Sequence, residues 1–278
     1  MIKNVIKQVT PPIIWNALRK RLAPSRPAVT YEGQFKSFEE VRRQYPESTN
    51  YHSPASEAEE FDQAAWKLKR FESGELPEEG ITLHRLNFLP TLLSFHFADG
   101  ISVLDVGGGL GVSFIDLMFS LPGKPISMTV LELPATAAQG RELFHAYKDI
   151  SFVDSLPGPD AHFDVVYFGS SLQYFEDYRG FLKRITDLKP EIVAISDTTM
   201  GDAAAFVAAQ VNMAGRVIPR LVFNLPELVR FFSSNGYALL HKSLNHSDFH
   251  NFANYEPPIS GTGHWNLVFR RLRGLEHV

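Results

Sequence analysis

Val103-Leu104-Asp105-Val106-Gly107-Gly108-Gly109-Leu110-Gly111 decides the reading of this chain. An apolar run ends in an acid, and a glycine cluster follows at once. This is the pattern of a strand that runs into a tight turn, with a helix opening near Leu110. Absent side chains at the turn let a ligand approach the backbone. Upstream, Ile101–Val106 is the first strand of an alternating series. Downstream, helix 110–119, strand 127–133, helix 135–147, strand 150–153, strand 163–168, helix 178–188 and strand 191–196 follow in order. Short apolar strands separated by helices predict a parallel sheet covered on both faces. A helix over 225–234 ends at Asn235-Gly236, and strands 237–244 and 265–271 close the series. The expected architecture is therefore α/β: a Rossmann-like, seven-stranded, mostly parallel sheet with helices on both faces and an antiparallel last strand.

Residues 1–90 read as a mostly helical extension, and residues 91–278 as the ligand-binding domain. Ser37 and Glu40 form a capping-box pattern ahead of a short helix at Phe38-Glu39-Glu40-Val41. Ala58, Phe61, Ala65 and Leu68 recur at helical spacing over 56–71. A further helix over 86–97 carries Phe88, Leu92, Phe95 and His96, and is expected to pack on the sheet.

Composition removes several classes of function. The chain has 278 residues, a hydrophobic fraction of 44%, a formal net charge of -4 and no cysteine. That excludes disulfides, thiolate metal sites and cysteine nucleophiles, and suits a reducing, cytoplasmic compartment. The charge gives no general case for a nucleic-acid partner. No apolar run approaches the ~18 residues of a transmembrane span. Residues 1–26 hold Lys3, Lys7, Arg19, Lys20, Arg21 and Arg26 and no acid, interspersed with Ile2, Val5, Ile6, Ile13, Ile14, Trp15 and Leu18. Two readings stay open for them: peripheral contact with the inner, anionic membrane face, or a helix pair packed on protein.

The glycines at 107, 109 and 111 alone fit several nucleotide sites. Glu132, at the end of the second strand, stands where a ribose-binding acid is expected. Asp105, two residues ahead of the first glycine, resembles the acidic strand end of class I S-adenosylmethionine-dependent methyltransferases. Phe152-Val153-Asp154, Phe163-Asp164-Val165-Val166 and Gly169-Ser170-Ser171-Leu172-Gln173-Tyr174 resemble later segments of that superfamily, over roughly residues 95–272. The combination of Pro11-Pro12, Gly33-Gln34-Phe35-Lys36-Ser37-Phe38, Asp105–Gly111 and Glu132-Leu133-Pro134 is similar to a little-characterised family of bacterial proteins assigned as methyltransferases. The chain departs from that family at Thr30-Tyr31-Glu32, where a tryptophan is common, and at His84-Arg85-Leu86, where an Arg-Asp pair often stands.

The resemblance implies S-adenosylmethionine as cofactor, with S-adenosylhomocysteine as product. Asp105, Gly107, Gly108 and Gly109 would border its methionyl end, Glu132 its ribose and Asp154 its adenine. Gly169, Ser170 and Gln173 would form the cofactor wall. Gly111 has a second reading in close strand–helix packing. The acceptor is expected to be a small molecule or saccharide with an oxygen or nitrogen nucleophile. A nicotinamide-dependent oxidoreductase and a noncatalytic cofactor-binding protein are the alternatives.

For the acceptor's proton, the base candidates are His246, His250 and His264, with Asp248 and Tyr255 nearby in sequence. The spacing of His246, Asp248 and His250 matches no metal-site signature, so no metal is expected. Asp197 and Thr198, just past a strand end, face the expected substrate side. Residues 200–224 read as an insertion or lid. Within it Arg216 and Arg220 are candidates for an anionic group, with surface salt bridging as the alternative.

Overall fold

The computed structural model describes residues 30–46, 54–75, 89–213, 216–245, 252 and 254–272. The basic segment 1–26, Pro11-Pro12, His84-Arg85-Leu86, His246, Asp248 and His250 lie outside them. Among the described residues no helix is long and apolar enough to cross a membrane.

The chain runs β1 (Tyr31–Phe35), α1 (Phe38–Gln44), α2 (Pro54–Glu72), α3 (Leu89–His96), β2 (Ile101–Val106), α4 (Val112–Ser120), β3 (Ile126–Leu131), α5 (Pro134–Leu143), β4 (Ile150–Val153) and β5 (Val165–Gly169). A short 3-10 helix (Leu172–Tyr174) follows, then α6 (Tyr178–Asp187), β6 (Ile192–Gly201), β7 (Phe206–Met213), β8 (Arg216–Asn224), α7 (Leu225–Ser234), β9 (Tyr237–Asn245) and β10 (Gly263–Arg271).

Seven strands form the expected sheet in the order β4-β3-β2-β5-β6-β10-β9. Pairs from β4 through β6 are parallel, and β10 runs antiparallel to both β6 and β9. The central strand β2 is apolar on both faces: Val103, Leu104 and Val106 are all fully buried. That is what a parallel strand covered twice requires. On one face α1, α6 and α7 bury Val41, Leu182, Ile185 and Phe232. On the other, α2, α3, α4 and α5 bury Leu68, Leu93, Phe114 and Ala137. The helix starts match their sequence signals. Ser37 accepts from the Glu40 N–H at 3.2 Å, and Asn224 from the Glu227 N–H at 2.8 Å.

Two features depart from the sequence expectation. The segment 200–224, read as an insertion or lid, is an inserted pair of strands: β7 and β8 pair antiparallel, and β8 joins the tip of β6 at Met200 and Gly201. Within the stretch expected to be helical, Tyr31–Phe35 is a strand that pairs antiparallel with β7. The sheet thus has ten strands. The reason for the miss is local. Gly33 has φ +71°, which breaks a five-residue strand too short to show its own alternation.

The helices α2 and α4 are joined by an ion pair, Lys67 Nζ to Asp116 Oδ1 at 2.5 Å, with side-chain exposures of 19% and 9%. Burial raises the Asp116 carboxyl above its ordinary range, and Lys67 opposes that shift. Removing the ammonium leaves a nearly buried carboxylate unpaired. Lys67→Ala is expected to lower stability by about 2–4 kcal/mol, and Lys67→Met with Asp116→Leu to recover most of it. Urea unfolding of the three proteins is the check.

Candidate functional site

The strand order fixes where a ligand can sit. From β2 the chain proceeds outward through β3 to β4, then returns to place β5 against the other side of β2. The crevice beyond the carboxyl ends of β2 and β5 is the topological switch point, the usual ligand site of such sheets. The turn 107–111 follows β2, Glu132 follows β3, and Gly169-Ser170 end β5.

The turn needs its glycines for separate reasons. Gly107, Gly109 and Gly111 have φ of +67°, +58° and +76°. A Cβ at Gly107 would stand 2.6 Å from the Ser171 side chain, whereas one at Gly109 would meet nothing within 4 Å. The backbone at Gly109 therefore borders open space. Gly111 instead packs on Ile150 and Phe152, the close-packing alternative. Asp105 is buried below the turn, 1% exposed, and its carboxylate accepts from the Ser113 hydroxyl. A Cβ at Gly108 would collide with that carboxylate.

Glu132 closes the turn from the side. Its Oε1 accepts from the Gly109 N–H at 3.1 Å and its Oε2 from the Leu133 N–H at 2.7 Å. Each oxygen keeps capacity to accept further donors. Asp154 is exposed just past β4. Opposite, Ser170 is a non-glycine residue at φ +59°. Gln173 holds it, donating to the Ser170 carbonyl at 2.6 Å and to its hydroxyl at 3.1 Å. Gln173 is completely buried, and its Oε1 has no hydrogen-bond partner among the described residues. A buried acceptor left over in a crevice wall is a place for a ligand's donor.

Beyond β6 lies a second polar group. His264 Nδ1 and Asp197 Oδ1 are 2.9 Å apart, and the Asn245 amide donates to the same oxygen at 2.9 Å. His264 Nε2 lies 3.3 Å from the Tyr31 hydroxyl and 3.5 Å from that of Thr199. The Arg220 guanidinium lies over the rings of Tyr31 and Tyr174, 5.6 Å from each centroid, and donates to Gln210 Oε1 at 3.3 Å. Burial lowers the His264 pKa below its ordinary value, Arg220 adds to that, and Asp197 opposes it. Burial also pushes the Tyr31 phenol up to about 12. The imidazole is thus neutral near pH 7, its Nδ1–H donated to Asp197 and its Nε2 accepting from Tyr31.

Of the three base candidates, the described structure places His264 in a built site; His246 and His250 lie outside the described residues. Asp197 falls inside β6, not after it, and carries φ +51°. Arg220 is buried, 2% exposed, so surface salt bridging does not describe it; Arg216 is half-buried. Sequence reasoning missed Tyr31, Thr199 and Asn245 as neighbours of His264. They come from β1, β6 and β9, and no local motif links them.

A scan against protein-family models gives no match, and a search of curated proteins gives none either. Solved structures do match. A chain from the Haloferax volcanii complex of the Trm112 methyltransferase activator with a protein assigned as a methyltransferase has a TM-score of 0.50 at 16% identity, over 79% of this chain and 99% of that one. The Burkholderia thailandensis 1,6-didemethyltoxoflavin-N1-methyltransferase has a TM-score of 0.47 at 16% identity, over 81% of this chain and 93% of that one. The [4+2]-cyclase SpnF has a TM-score of 0.48 at 15% identity, over 88% and 100%. The architecture is the Rossmann-like methyltransferase fold. Likeness at this identity speaks for the fold, and the chemistry has to be argued from the site.

The neutral, buried His264 has a consequence for stability. An unfolded histidine takes up its proton near pH ~6.5, while the folded one resists protonation to lower pH. The unfolded state then binds more protons, so this group makes stability fall as pH drops below that value. His264→Gln is expected to flatten the fall in stability between pH 7.5 and 5.5, measured by urea unfolding. An unchanged slope would remove His264 from the account.

Proposed function

We propose that the protein transfers a methyl group from S-adenosylmethionine to the oxygen or nitrogen of a small-molecule acceptor. The observation that carries this is the bond from the Gly109 N–H to Glu132. In a dinucleotide site the N–H groups of this turn face a pyrophosphate. Here a carboxylate already occupies one of them, and a second carboxylate, Asp105, lies beneath. A pyrophosphate, which brings no cation of its own, is disfavoured at such a turn; a ribose, or a methionyl chain whose carboxylate is offset by its own ammonium, is not.

The residues fit that cofactor. Glu132 can accept from ribose hydroxyls while keeping its backbone bonds. The backbone of Gly107, Gly108 and Gly109 leaves room for the methionyl chain, and Asp105 braces the turn from below. Asp154, exposed just past β4, would accept from the adenine amine. Gly169, Ser170 and Gln173 would form the facing wall. When bound, S-adenosylmethionine supplies an electrophilic methyl group. The protein then has to align the acceptor and receive its proton. The Asp197–His264 pair serves that second task.

Calorimetric titration tests this directly. S-adenosylhomocysteine should bind the wild type, and NAD should not. Glu132→Ala and Gly109→Val should each weaken the binding by at least about tenfold, the first by loss of charged hydrogen bonds, the second by filling the open space. Retention of full affinity in both variants would sink the assigned site.

A further inference from the structure

The two members of the Asp197–His264 pair are not placed alike. The His264 side chain is 2% exposed and that of Asp197 is 14% exposed. The far nitrogen of the imidazole is covered by the hydroxyls of Tyr31 and Thr199, at 3.3 and 3.5 Å. Tyr31 is itself completely buried. Its ring stacks on Phe252 at 4.5 Å, and its carbonyl accepts from the Asn254 amide at 2.8 Å. A molecule in the crevice therefore meets the carboxylate before the imidazole.

The backbone agrees. Asp197 at φ +51° follows Ser196, which pairs with Gly169 across to β5, and Ser170 at φ +59° follows Gly169. Two non-glycine residues in the left-handed region thus follow one paired position, Ser170 just past the end of β5 and Asp197 within β6. Such conformations cluster where ligands are held. Asp197 is fixed there by three donated or accepted bonds: its N–H to Asn266 Oδ1 at 3.0 Å, and the Asn245 and His264 donors on Oδ1.

We propose that Asp197 is the residue that touches the acceptor and that His264 is a positioning residue behind it, so that the acceptor presents an N–H or O–H donor to this carboxylate. The word acceptor rests on the methyl-transfer reading; the orientation of the pair does not. Two N–H donors hold the carboxylate aimed, and a ligand lacking a donor would leave it desolvated without compensation.

Chemical labelling of the full-length protein decides this. A water-soluble carbodiimide with glycine ethyl ester should amidate Asp197 at least about tenfold faster than the buried Asp105, which reacts only through opening. Diethyl pyrocarbonate should modify His264 at least about tenfold more slowly than the exposed His145 and His162. Millimolar guanidinium, a donor probe, should slow labelling of Asp197 but not of the exposed Asp154, and dimethyl sulfoxide, which has no donor, should slow neither. His264→Asn, which keeps an N–H toward Asp197, should preserve the Asp197 rate, whereas His264→Ala should change it severalfold.

A His264 as reactive as His162, an inert Asp197, equal effects of the two probes, or identical behaviour of the two variants overturns the proposal. If either variant fails to fold, the wild-type labelling rates decide alone. Titration with S-adenosylhomocysteine run in parallel keeps the readings apart. Lost cofactor binding sinks methyl transfer, while the labelling still reports which member of the pair faces outward.

Discussion

The carboxylate of Glu132 closing on the backbone of Gly109 is the contact on which the site depends. It joins the ends of β2 and β3, whose register is already set by parallel pairing from Ile101 to Val106. It also satisfies an N–H near a helix start that would otherwise call for an anion. A neutral turn in the same backbone would invite a phosphate; this one, with an acid beside it and another below, does not. The same bond leaves the outward face of Gly109 bare, so the turn offers surface and hydroxyl acceptors instead of charge capture.

Much of this was legible in the sequence, because its signals are local. An apolar run, an acid and a glycine cluster specify strand, turn and helix within nine residues. The parallel core announced itself through strands without alternation, and the caps at Ser37 and Asn235-Gly236 fell where their chemistry put them. Glu132 could be placed beside the glycines because one helix, one turn and one strand separate it from them. Gly111 kept two readings, and packing against Ile150 and Phe152 selects the structural one.

The acceptor side was not legible, and the reason is topological. Tyr31, Asp197, Arg220, Asn245 and His264 come from β1, β6, β8, β9 and β10, and the Tyr31–His264 contact spans 233 positions. His264, Asp197 and Arg220 stood out singly as candidates, but no local pattern linked them to one another or to Tyr31. The strands that bring them together were themselves obscure. β7 and β8 looked like a lid because Asn212, Arg216 and Arg220 break the apolar pattern. Yet Arg220 is polar in sequence and buried in space, with its charge set over two tyrosine faces. A buried cation is the kind of feature that a hydrophobicity pattern misassigns to the surface.

The placement of strain completes the picture. Ser170, just past β5, and Asp197, within β6, share a conformation that β-strands avoid, and each is held by side chains from elsewhere: Gln173 for the first, Asn245, His264 and Asn266 for the second. Strain that is held by several bonds on both sides of a crevice is stored in the fold, not in a loop that could relax. Gln173 ties it to the cofactor wall, and Asn245 and Asn266 tie it to the antiparallel end of the sheet. The crevice therefore has one wall built by the parallel half of the sheet and one anchored by the antiparallel half. The geometry between them is fixed by backbone pairing before any ligand arrives, which is the preorganisation that an in-line displacement needs.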